Sequence, residues 1–445
     1  MENIKRVTFA SKIGVIAAAA GSAVGLGNIW RFPSQAADGG GAIFIFVYIA
    51  CILFFGIPVM MSEFIIGRSA RANTAGAFHK LAPGTPWKWI GRLGVLTGFI
   101  IMGFYMVVAG WTLIYFFQSV TGNLHSVTNF SSHFNSILNN PLQQTIWMIV
   151  FTLLTAFFII SGVRKGIEQS AKIFMPLLFL LLIILAVRSA TLEGAVNGLN
   201  FLFKPNLEHV KQTVFLDAMG QAFFSLSIGM GCLITYGSYF NNSVNLTKTA
   251  VQVSTLDTLV AILSGIIIFP AAFALTSNPD TIVDELVTGG PGLLFITLPE
   301  LFNQMPASMA WSSMFFCLLA LAALTSTISL MEVVTLYLYE EYKISRKKST
   351  LLVTIGVIIL GIISSYSSGF FNFLDMASAK YMLPVGGLFI SIFVGWYLNQ
   401  QLVTAQITNE GRLKFSILFL KFYIFLLRYI APIAILSIFI YGLAG

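Results

Sequence analysis

Charged residues are scarce in this chain. Asp, Glu, Lys and Arg make up 9% of the 445 residues, whereas they make up about 25% of a typical soluble domain. Hydrophobic residues account for 57% of the chain, and the mean hydropathy is +0.86. This composition excludes a soluble globular protein and predicts an all-α polytopic membrane protein in contact with the lipid bilayer. The net charge of +8 therefore indicates basic cytoplasmic loops and not a nucleic-acid partner.

Residue patterns that support metal, nucleotide or nucleophilic chemistry are also missing. No GxxxxGK[ST] loop occurs, so this chain alone is not expected to hydrolyse ATP. The apolar spans hold no nucleophile–base pair and no metal cluster, so we expect neither an enzyme nor an organic cofactor. The N-terminus has no cleavable signal pattern, because its apolar run is long and leads into further spans. The cysteines lie in apolar segments and the histidines in predicted loops: Cys51, Cys232, Cys317, His79, His125, His133 and His209.

Apolar stretches long enough to cross a bilayer recur eleven times along the chain. A transmembrane helix needs about 20 such residues. The predicted spans are 13–36, 42–68, 91–120, 143–162, 168–189, 216–241, 248–276, 308–340, 350–367, 371–397 and 424–443.

Lys and Arg are concentrated on one side of these spans. With the N-terminus in the cytoplasm, 20 of the 25 Lys and Arg residues fall in cytoplasmic segments. Because positive residues favour the cytoplasmic side, we expect a cytoplasmic N-terminus and an extracytoplasmic C-terminus. Eleven spans with short loops are typical of a multi-pass protein of a prokaryotic inner membrane. Two cationic residues, Arg31 and Lys380, remain within spans.

Two spans contain glycines that would interrupt a membrane helix. Residues 21–27 read GSAVGLG, with three glycines in seven residues, and residues 229–231 read GMG. An opened helix exposes amides and carbonyls, which is costly in a bilayer unless they bind something. The two breaks lie five spans apart and run in opposite directions, which predicts two inverted five-helix repeats, spans 1–5 and 6–10, with a binding site near the midplane. The alternative is that the glycines only allow close helix packing.

The predicted domain organisation follows from the repeats. We expect a cytoplasmic segment at 1–12 and the first repeat at 13–189, followed by an extracellular connector at 190–215. The second repeat would occupy 216–397, and a cytoplasmic linker with the eleventh span would occupy 398–445. The loop at 277–307 contains no Lys or Arg, and its apolar middle is too short to span. We expect this loop to fold over the outer face as a lid, and a plain connector is the alternative.

Several segments of the chain resemble signatures of the neurotransmitter:sodium symporter family. They are GSAVGLGNIWRFP at 21–33 with GGGA at 39–42, EFIIGR at 63–68, KGIEQSAKIFMP at 165–176, GQAFFSLSIGMG at 220–231 and LAALTSTISLM at 321–331. The resemblance covers nearly the whole chain in order. It is similar in particular to bacterial eleven-span members, which import amino acids with the Na⁺ gradient, and so implies alternating access.

This resemblance implies two Na⁺ sites. The first would combine the substrate carboxylate with oxygens of Ala23, Asn28, Ser225 and Asp257. The second would combine the carbonyls of Gly21, Val24 and Ala322 with the hydroxyls of Thr325 and Ser326. Hydroxyls in membrane helices also commonly bond to carbonyls of their own helix, so the residues alone leave that alternative open for the Thr-Ser pair.

Asp257 departs from the pattern of the bacterial relatives. These commonly have Asn at this position and often a Glu four residues later, where this chain has Ala261. A carboxylate within a span is costly and marks a functional site. We expect an ionised Asp257 to supply the negative charge that chloride supplies in animal relatives, and a protonated structural Asp is the alternative.

The resemblance also implies a substrate pocket with a polar and an apolar end. The amides of Leu26 and Gly27 and the hydroxyl of Tyr105 would bind the carboxylate, and Phe224 would close over the substrate. The apolar end predicts neutral hydrophobic L-amino acids, with leucine-like substrates favoured and aromatic ones allowed. The full set is Ser22, Ala23, Leu26, Gly27, Ile101, Tyr105, Phe224, Ser227, Met230, Ser326 and Leu330.

Gates on both sides of this pocket are implied as well. Arg31 and Asp375 would form the outer gate as an ion pair bridged by water. Arg6 and Glu340 would form the inner gate, with Tyr239 beside them. Phe9 stands where the family usually has Trp. The resemblance further implies that Glu63 binds the unwound backbone, and that Gly166 and Pro176 let the fifth span unwind, although a simple kink is the alternative there. Glu332 and Lys380 also lie within spans, and a pair between them is one arrangement that the sequence allows.

Two other functions are compatible with the same fold. A transport-inactive amino-acid sensor would keep the pocket, and a substrate-gated cation channel would conduct Na⁺ through it. The presence of both gate pairs favours a transporter, for which a monomer suffices; the oligomeric state is not fixed by the sequence.

Overall fold

The computed structural model describes residues 7–206, 211, 213–276, 282–288 and 292–444. In these ranges, nine helices are long and apolar enough to cross a membrane by themselves. They are Ala42–Ala70, Lys88–Val120, Pro141–Ile160, Val163–Ala190, Leu246–Leu275, Ser308–Glu341, Arg346–Tyr366, Ser368–Tyr397 and Ile417–Ile440. Each overlaps one predicted span, so the chain is a multi-pass membrane protein.

The first and sixth predicted spans are each divided into two helices. The first consists of Lys12–Ala23 and Gly27–Asp38, whose axes differ by 56°. The sixth consists of Val214–Ser225 and Cys232–Gly237. The prediction of an all-α membrane fold with discontinuous first and sixth helices is therefore confirmed.

Both breaks lie in the centre of the bundle. The third and eighth spans, Lys88–Val120 and Ser308–Glu341, pack against each other and are the most enclosed, with 72% of the apolar window of each buried. The last span is peripheral, with 33% of its window buried, and Leu418 on this span is 77% exposed. Apolar side chains exposed in this way suit contact with lipid, and the inner helices are left to position the breaks.

Shorter helices lie outside the spans. They are Thr74–Leu81, Phe130–Leu138, Ala195–Phe203, Ile282–Thr288, Leu293–Asn303 and Gln400–Ile407.

The predicted lid loop folds back onto the bundle in its described part. Tyr115 in the third span donates to the Phe295 carbonyl at 2.8 Å, and the Phe295 ring packs on Trp111 and Tyr115. Ser34 donates to the Val287 carbonyl at 3.1 Å. These contacts tie the loop to the first and third spans. Residues 277–281 and 289–291 of the predicted lid are outside the described residues.

The GGGA segment that follows the first span has a geometric requirement for glycine. Gly41 has φ +60°, and a Cβ on it would overlap the backbone carbonyl oxygen of Phe201. Gly84 has φ +74°, and a Cβ on it would have no atom within 4 Å. The two glycines therefore share a positive φ and differ in the space around them.

We expect Gly41→Ala to destabilise the protein more than Gly84→Ala. Both substitutions place an L side chain at positive φ, at a cost of about 1–2 kcal/mol, and only Gly41→Ala adds overpacking of about 1–3 kcal/mol. The midpoint of thermal unfolding in detergent micelles measures the difference. Equal midpoints for the two variants would contradict the close approach of Gly41 to Phe201.

Candidate functional site

Side chains of the first, third and eighth spans bind the peptide groups at the break in the first span. After Ala23 the backbone becomes extended at Val24, with φ −69° and ψ 113°. The Gly25 amide donates to the Asn28 side-chain oxygen at 3.0 Å, and the Leu26 amide donates to the Tyr105 hydroxyl at 3.1 Å. The Val24 carbonyl accepts from Ser326 at 3.1 Å. Peptide groups freed by the break thus bond to side chains, as a water-free interior requires.

The glycines of this break also bring it close to its neighbours. A Cβ on Gly25 would lie 2.7 Å from the Ser326 hydroxyl, and one on Gly21 would lie 3.3 Å from Cβ of Thr325. Close packing and helix opening, which the sequence offered as alternatives, therefore both apply here.

The break in the sixth span runs from Leu226 to Gly231. Ser227, Gly229 and Gly231 all have positive φ, of 55°, 87° and 78°, which glycine adopts readily and serine rarely does. The Ser227 hydroxyl donates to the Ser22 carbonyl at 2.7 Å and so joins the two breaks. The Gly229 amide donates to Glu63 at 2.7 Å, the contact that the family resemblance implies for this glutamate.

A small cavity lies between the two breaks. Its volume is about 40 Å³, which is enough for a few water molecules and too small for an amino acid without movement of the lining side chains. Of the eleven predicted pocket residues, Leu26 alone does not line it. The lining residues are Ser22, Ala23, Gly25, Gly27, Asn28, Ile101, Tyr105, Phe224, Ser225, Ser227, Met230, Cys232, Ser326 and Leu330.

Phe224 separates this cavity from a second one. A Cβ on Gly27 would lie 2.7 Å from the Phe224 ring on one side, and the Arg31 guanidinium lies 4.7 Å from the ring centroid. Phe224 also lines a cavity of about 360 Å³ that contains Arg31, Asp217 and Lys380. The ring therefore forms a partition beneath a vestibule that carries two cationic side chains.

Three polar side chains surround the carboxylate of Asp257, which is fully buried. One oxygen accepts from Asn28 at 2.7 Å and from Ser225 at 3.0 Å. The other accepts from Ser225 at 2.8 Å and from Tyr48 at 3.3 Å. All three side chains donate to the carboxylate.

The amide of Asn28 is oriented by its neighbours. Its oxygen accepts from Gly25, while its nitrogen donates to Asp257 and, at 2.8 Å, to Ser225. The family resemblance implies the amide oxygen as a Na⁺ ligand. A cation between Asn28 and Asp257 would require the amide to turn over, because its nitrogen now faces the carboxylate.

The residues predicted for the second Na⁺ site also lie together. Thr325 donates to the Ala322 carbonyl at 3.0 Å and lies against Gly21. Ser326 donates across to the Val24 carbonyl. Thr325 thus bonds within its own helix, while Ser326 connects the eighth span to the first, so the alternative of back-bonding describes only Thr325.

The structure describes both residues of the predicted outer gate but only part of the inner gate. No N–O distance of 4.0 Å or less joins the described side chains of Arg31 and Asp375, so the outer gate stays a prediction. Arg6 is outside the described residues. Its predicted partner Glu340 accepts from the Asn73 amide at 2.7 Å.

Tyr239 belongs to a buried polar cluster at the basic end of the bundle. Its hydroxyl donates to Glu332 at 2.5 Å, and Arg346 donates to both oxygens of Glu332 at 3.1 and 2.6 Å. The predicted pair between Glu332 and Lys380 is therefore wrong, because Glu332 pairs with Arg346 and Lys380 lines the vestibule. Phe9 packs edge-on against Tyr239 at 5.7 Å and is 2% exposed.

The fifth span begins with a carboxylate that binds the first span. Glu168 accepts from the amides of Ala10 and Ser11 at 2.7 and 3.2 Å and from Lys172 at 2.6 Å. A Cβ on Gly166 would overlap the Phe158 carbonyl oxygen. Gly166 is therefore required by its close packing against Phe158, and unwinding of the fifth span stays a prediction.

The sequence interpretation missed several residues of the site. Tyr48 is unremarkable in an apolar run, and only its contact with Asp257 reveals it. Cys232 follows the GMG break directly, and that position could have placed it in the cavity. Arg346 begins the ninth span among other basic residues, so nothing in the sequence distinguished it as the partner of Glu332.

Two interrupted helices around a small cavity, with oxygen clusters beside it, define a secondary transporter of the inverted-repeat type. The chain belongs to the sodium:neurotransmitter symporter family, whose sequence model matches residues 6–139 and 126–445. It is thus a sodium-dependent transporter and not an enzyme.

Three proteins illustrate similarity over almost the whole length of this chain. The uncharacterised sodium-dependent transporter YhdH of Bacillus subtilis is 34% identical, covering 99% of this chain and 98% of its own length. An uncharacterised sodium-dependent transporter of Haemophilus influenzae is 32% identical, with 99% of each chain covered. The crystal structure of MhsT in complex with L-phenylalanine superposes with a TM-score of 0.89 at 43% identity, covering 98% of this chain and 100% of MhsT.

We expect Arg346→Met to cost about 3–5 kcal/mol of stability, because it leaves the buried Glu332 carboxylate without its cation. The double variant Glu332→Met with Arg346→Met should recover most of this loss, since the uncompensated charge is removed too. Thermal unfolding in detergent micelles measures both. Lys211→Met, which breaks a pair with Asp38 at a lysine that is 56% exposed, is the control and should cost about 0–1 kcal/mol. A double variant no more stable than Arg346→Met would contradict this interpretation.

Proposed function

We propose that this chain is a Na⁺-coupled symporter that imports neutral hydrophobic L-amino acids by alternating access. The observation that carries the proposal is the cavity between the two broken helices. Peptide groups and hydroxyls line one part of it, and Ile101, Met230 and Leu330 line another. A zwitterion with an apolar side chain matches this division, because half-helix N-termini favour a carboxylate and free carbonyls favour an ammonium group.

The lining of the cavity supports the substrate class. None of its fourteen lining residues is Asp, Glu, Lys or Arg, so a charged substrate side chain would find no partner there. Met230 has a flexible side chain that adapts to substrates of different shape. The likeness to MhsT, which was crystallised with L-phenylalanine, supports an aromatic substrate alongside leucine.

The oxygen atoms gathered around Asp257 and around Thr325 and Ser326 support a pair of Na⁺ sites. Ala23, Asn28, Ser225 and Asp257 would hold one ion together with the substrate carboxylate. Gly21, Val24, Ala322, Thr325 and Ser326 would hold the second between the first and eighth spans. Hard cations of this kind prefer oxygen ligands, and each of these residues has an oxygen atom to offer.

The Na⁺ gradient would supply the driving force. Each Na⁺ that moves down about 100 mV contributes about 2.3 kcal/mol. Two ions therefore support accumulation of roughly a thousandfold or more. The proposal places the N-terminus in the cytoplasm and the C-terminus outside, with the repeats at 13–189 and 216–397.

The first experiment measures uptake of radiolabelled leucine into proteoliposomes. We expect accumulation with an inward Na⁺ gradient and none when choline replaces Na⁺. Unlabelled methionine, phenylalanine and tryptophan should compete, whereas aspartate and lysine should not. Binding without uptake would favour an amino-acid sensor, and Na⁺ conductance that exceeds coupled uptake would favour a substrate-gated channel; either result would contradict a symporter. Competition by glycine and alanine alone would contradict the substrate class.

The second experiment tests Asp257 as the built-in negative charge. Wild-type uptake should be equal in chloride and in gluconate, because the carboxylate makes an external anion unnecessary. Asp257→Asn should lose at least about tenfold in gluconate, corresponding to about 1.4 kcal/mol, and should recover in part when chloride is added. Adding Ala261→Glu to this variant supplies a carboxylate one helical turn away and should restore uptake in gluconate. Full activity of Asp257→Asn without chloride would show that the charge is not needed.

A further inference from the structure

The short helix Thr74–Leu81, which follows the second span, contacts the C-terminal end of the break in the sixth span. Gly231 is the last residue of the break, and its carbonyl accepts from the Thr74 hydroxyl at 2.9 Å. The Thr74 hydroxyl also lies 3.1 Å from that of Thr235, one turn further along the sixth span. Glu63 binds the amide of Gly229, so Glu63 and Thr74 hold opposite sides of the Gly-Met-Gly segment.

Thr74 is joined through its neighbour to the acid of the predicted inner gate. Asn73 caps the helix Thr74–Leu81 by accepting from the Gly76 amide at 2.9 Å. The Asn73 backbone amide donates to Glu340 at 2.7 Å, and its side-chain nitrogen donates to Glu340 at 3.2 Å and to Glu341 at 2.9 Å. Two consecutive residues therefore connect the end of the eighth span to a peptide group beside the substrate cavity.

Glycines of the third span leave this connection little room to move. A Cβ on Gly91 would lie 2.6 Å from the Thr74 carbonyl oxygen, and one on Gly94 would lie 3.3 Å from the Thr74 methyl and 3.5 Å from the Gly231 amide. Asn73 and Thr74 are each 1% exposed. A shift at Glu340 must therefore be transmitted to the break or must rupture one of these bonds, because tightly packed interiors do not deform freely.

We propose that Asn73 and Thr74 couple the inner gate to the substrate cavity. Thr74 is a positioning residue: its hydroxyl fixes the Met230–Gly231 backbone while Glu340 holds Asn73. When Glu340 moves as the gate opens, the helix start moves with it and the bond from Thr74 to the Gly231 carbonyl breaks, which leaves that carbonyl bound only by the Thr235 amide of its own helix. Opening of the inner side thereby loosens the substrate site in the same event. The direction of transport in this inference rests on the proposed function, whereas the linkage itself does not.

The test uses Cys232, which lines the cavity, as a reporter of inner opening. Cys51 and Cys317 are replaced by alanine, and a membrane-impermeant maleimide is applied to inside-out vesicles. Thr74→Val keeps the shape of the side chain but removes the hydroxyl. We expect it to raise the rate of Cys232 labelling about fivefold, the equivalent of one lost hydrogen bond, and to raise the KM for leucine more than it lowers the maximal rate. Thr74→Ser keeps the hydroxyl and should stay near the wild-type values.

Two further variants separate coupling from packing. Asn73→Ala should raise labelling to a similar degree, and Asn73→Ala with Thr74→Val should raise it no further, because linked residues are not additive. Thr255→Val, at an exposed hydroxyl that bonds within the seventh span, is the matched control and should label like wild type.

Three results would overturn the coupling: wild-type labelling of Thr74→Val, equal effects of Thr74→Val and Thr74→Ser, or additive effects in the double variant. Absence of Na⁺-dependent uptake in the wild type would instead overturn the proposed function, and the labelling rates would still test the link.

Discussion

The structure depends on pairing peptide groups that two broken helices expose inside the membrane. In lipid an unpaired amide or carbonyl costs several kcal/mol, so each break needs partners beyond the backbone bonds of its own helix. Tyr105, Ser326 and Glu63 supply such partners from three different spans. The arrangement of the central helices follows from this need. The third and eighth spans are the most enclosed because they carry residues that the breaks require.

Several charged side chains inside the bundle are bound by donors of other segments or lie against a cavity. Glu332 has a cation and a tyrosine hydroxyl, Asp257 has three kinds of donor, and Glu168 is bound by a lysine and by two amides at a helix start. Arg31 and Lys380 instead face a cavity. This distribution explains how a chain with 9% charged residues places several of them at membrane depth, where an isolated charge would be expelled.

Much of the fold could be predicted because membrane constraints are severe. The span limits follow from apolar length, and both breaks follow from glycines that no continuous helix would need. The candidate pocket residues depended on the family resemblance, and the structure gathers ten of the eleven around one cavity. Contacts between distant segments could not be predicted in the same way. Arg346 and Glu332 are 14 residues apart on different helices, and the Asn28 amide turns its nitrogen to Asp257; such facts depend on packing angles and rotamers, which a hydropathy pattern does not encode.

The capture of the first helix by Glu168 has a consequence for how the protein is made. Ser11 and Glu168 are 157 residues apart in the chain, so a ribosome adding about 5–20 residues per second finishes the first helix some ten to thirty seconds before its anchor exists. During that interval the amides at the start of the helix have only water or lipid head groups as partners. The contacts of Glu168 with the start of the first span therefore form only after the fifth span has been synthesised. Truncated chains that end before Glu168 lack these contacts.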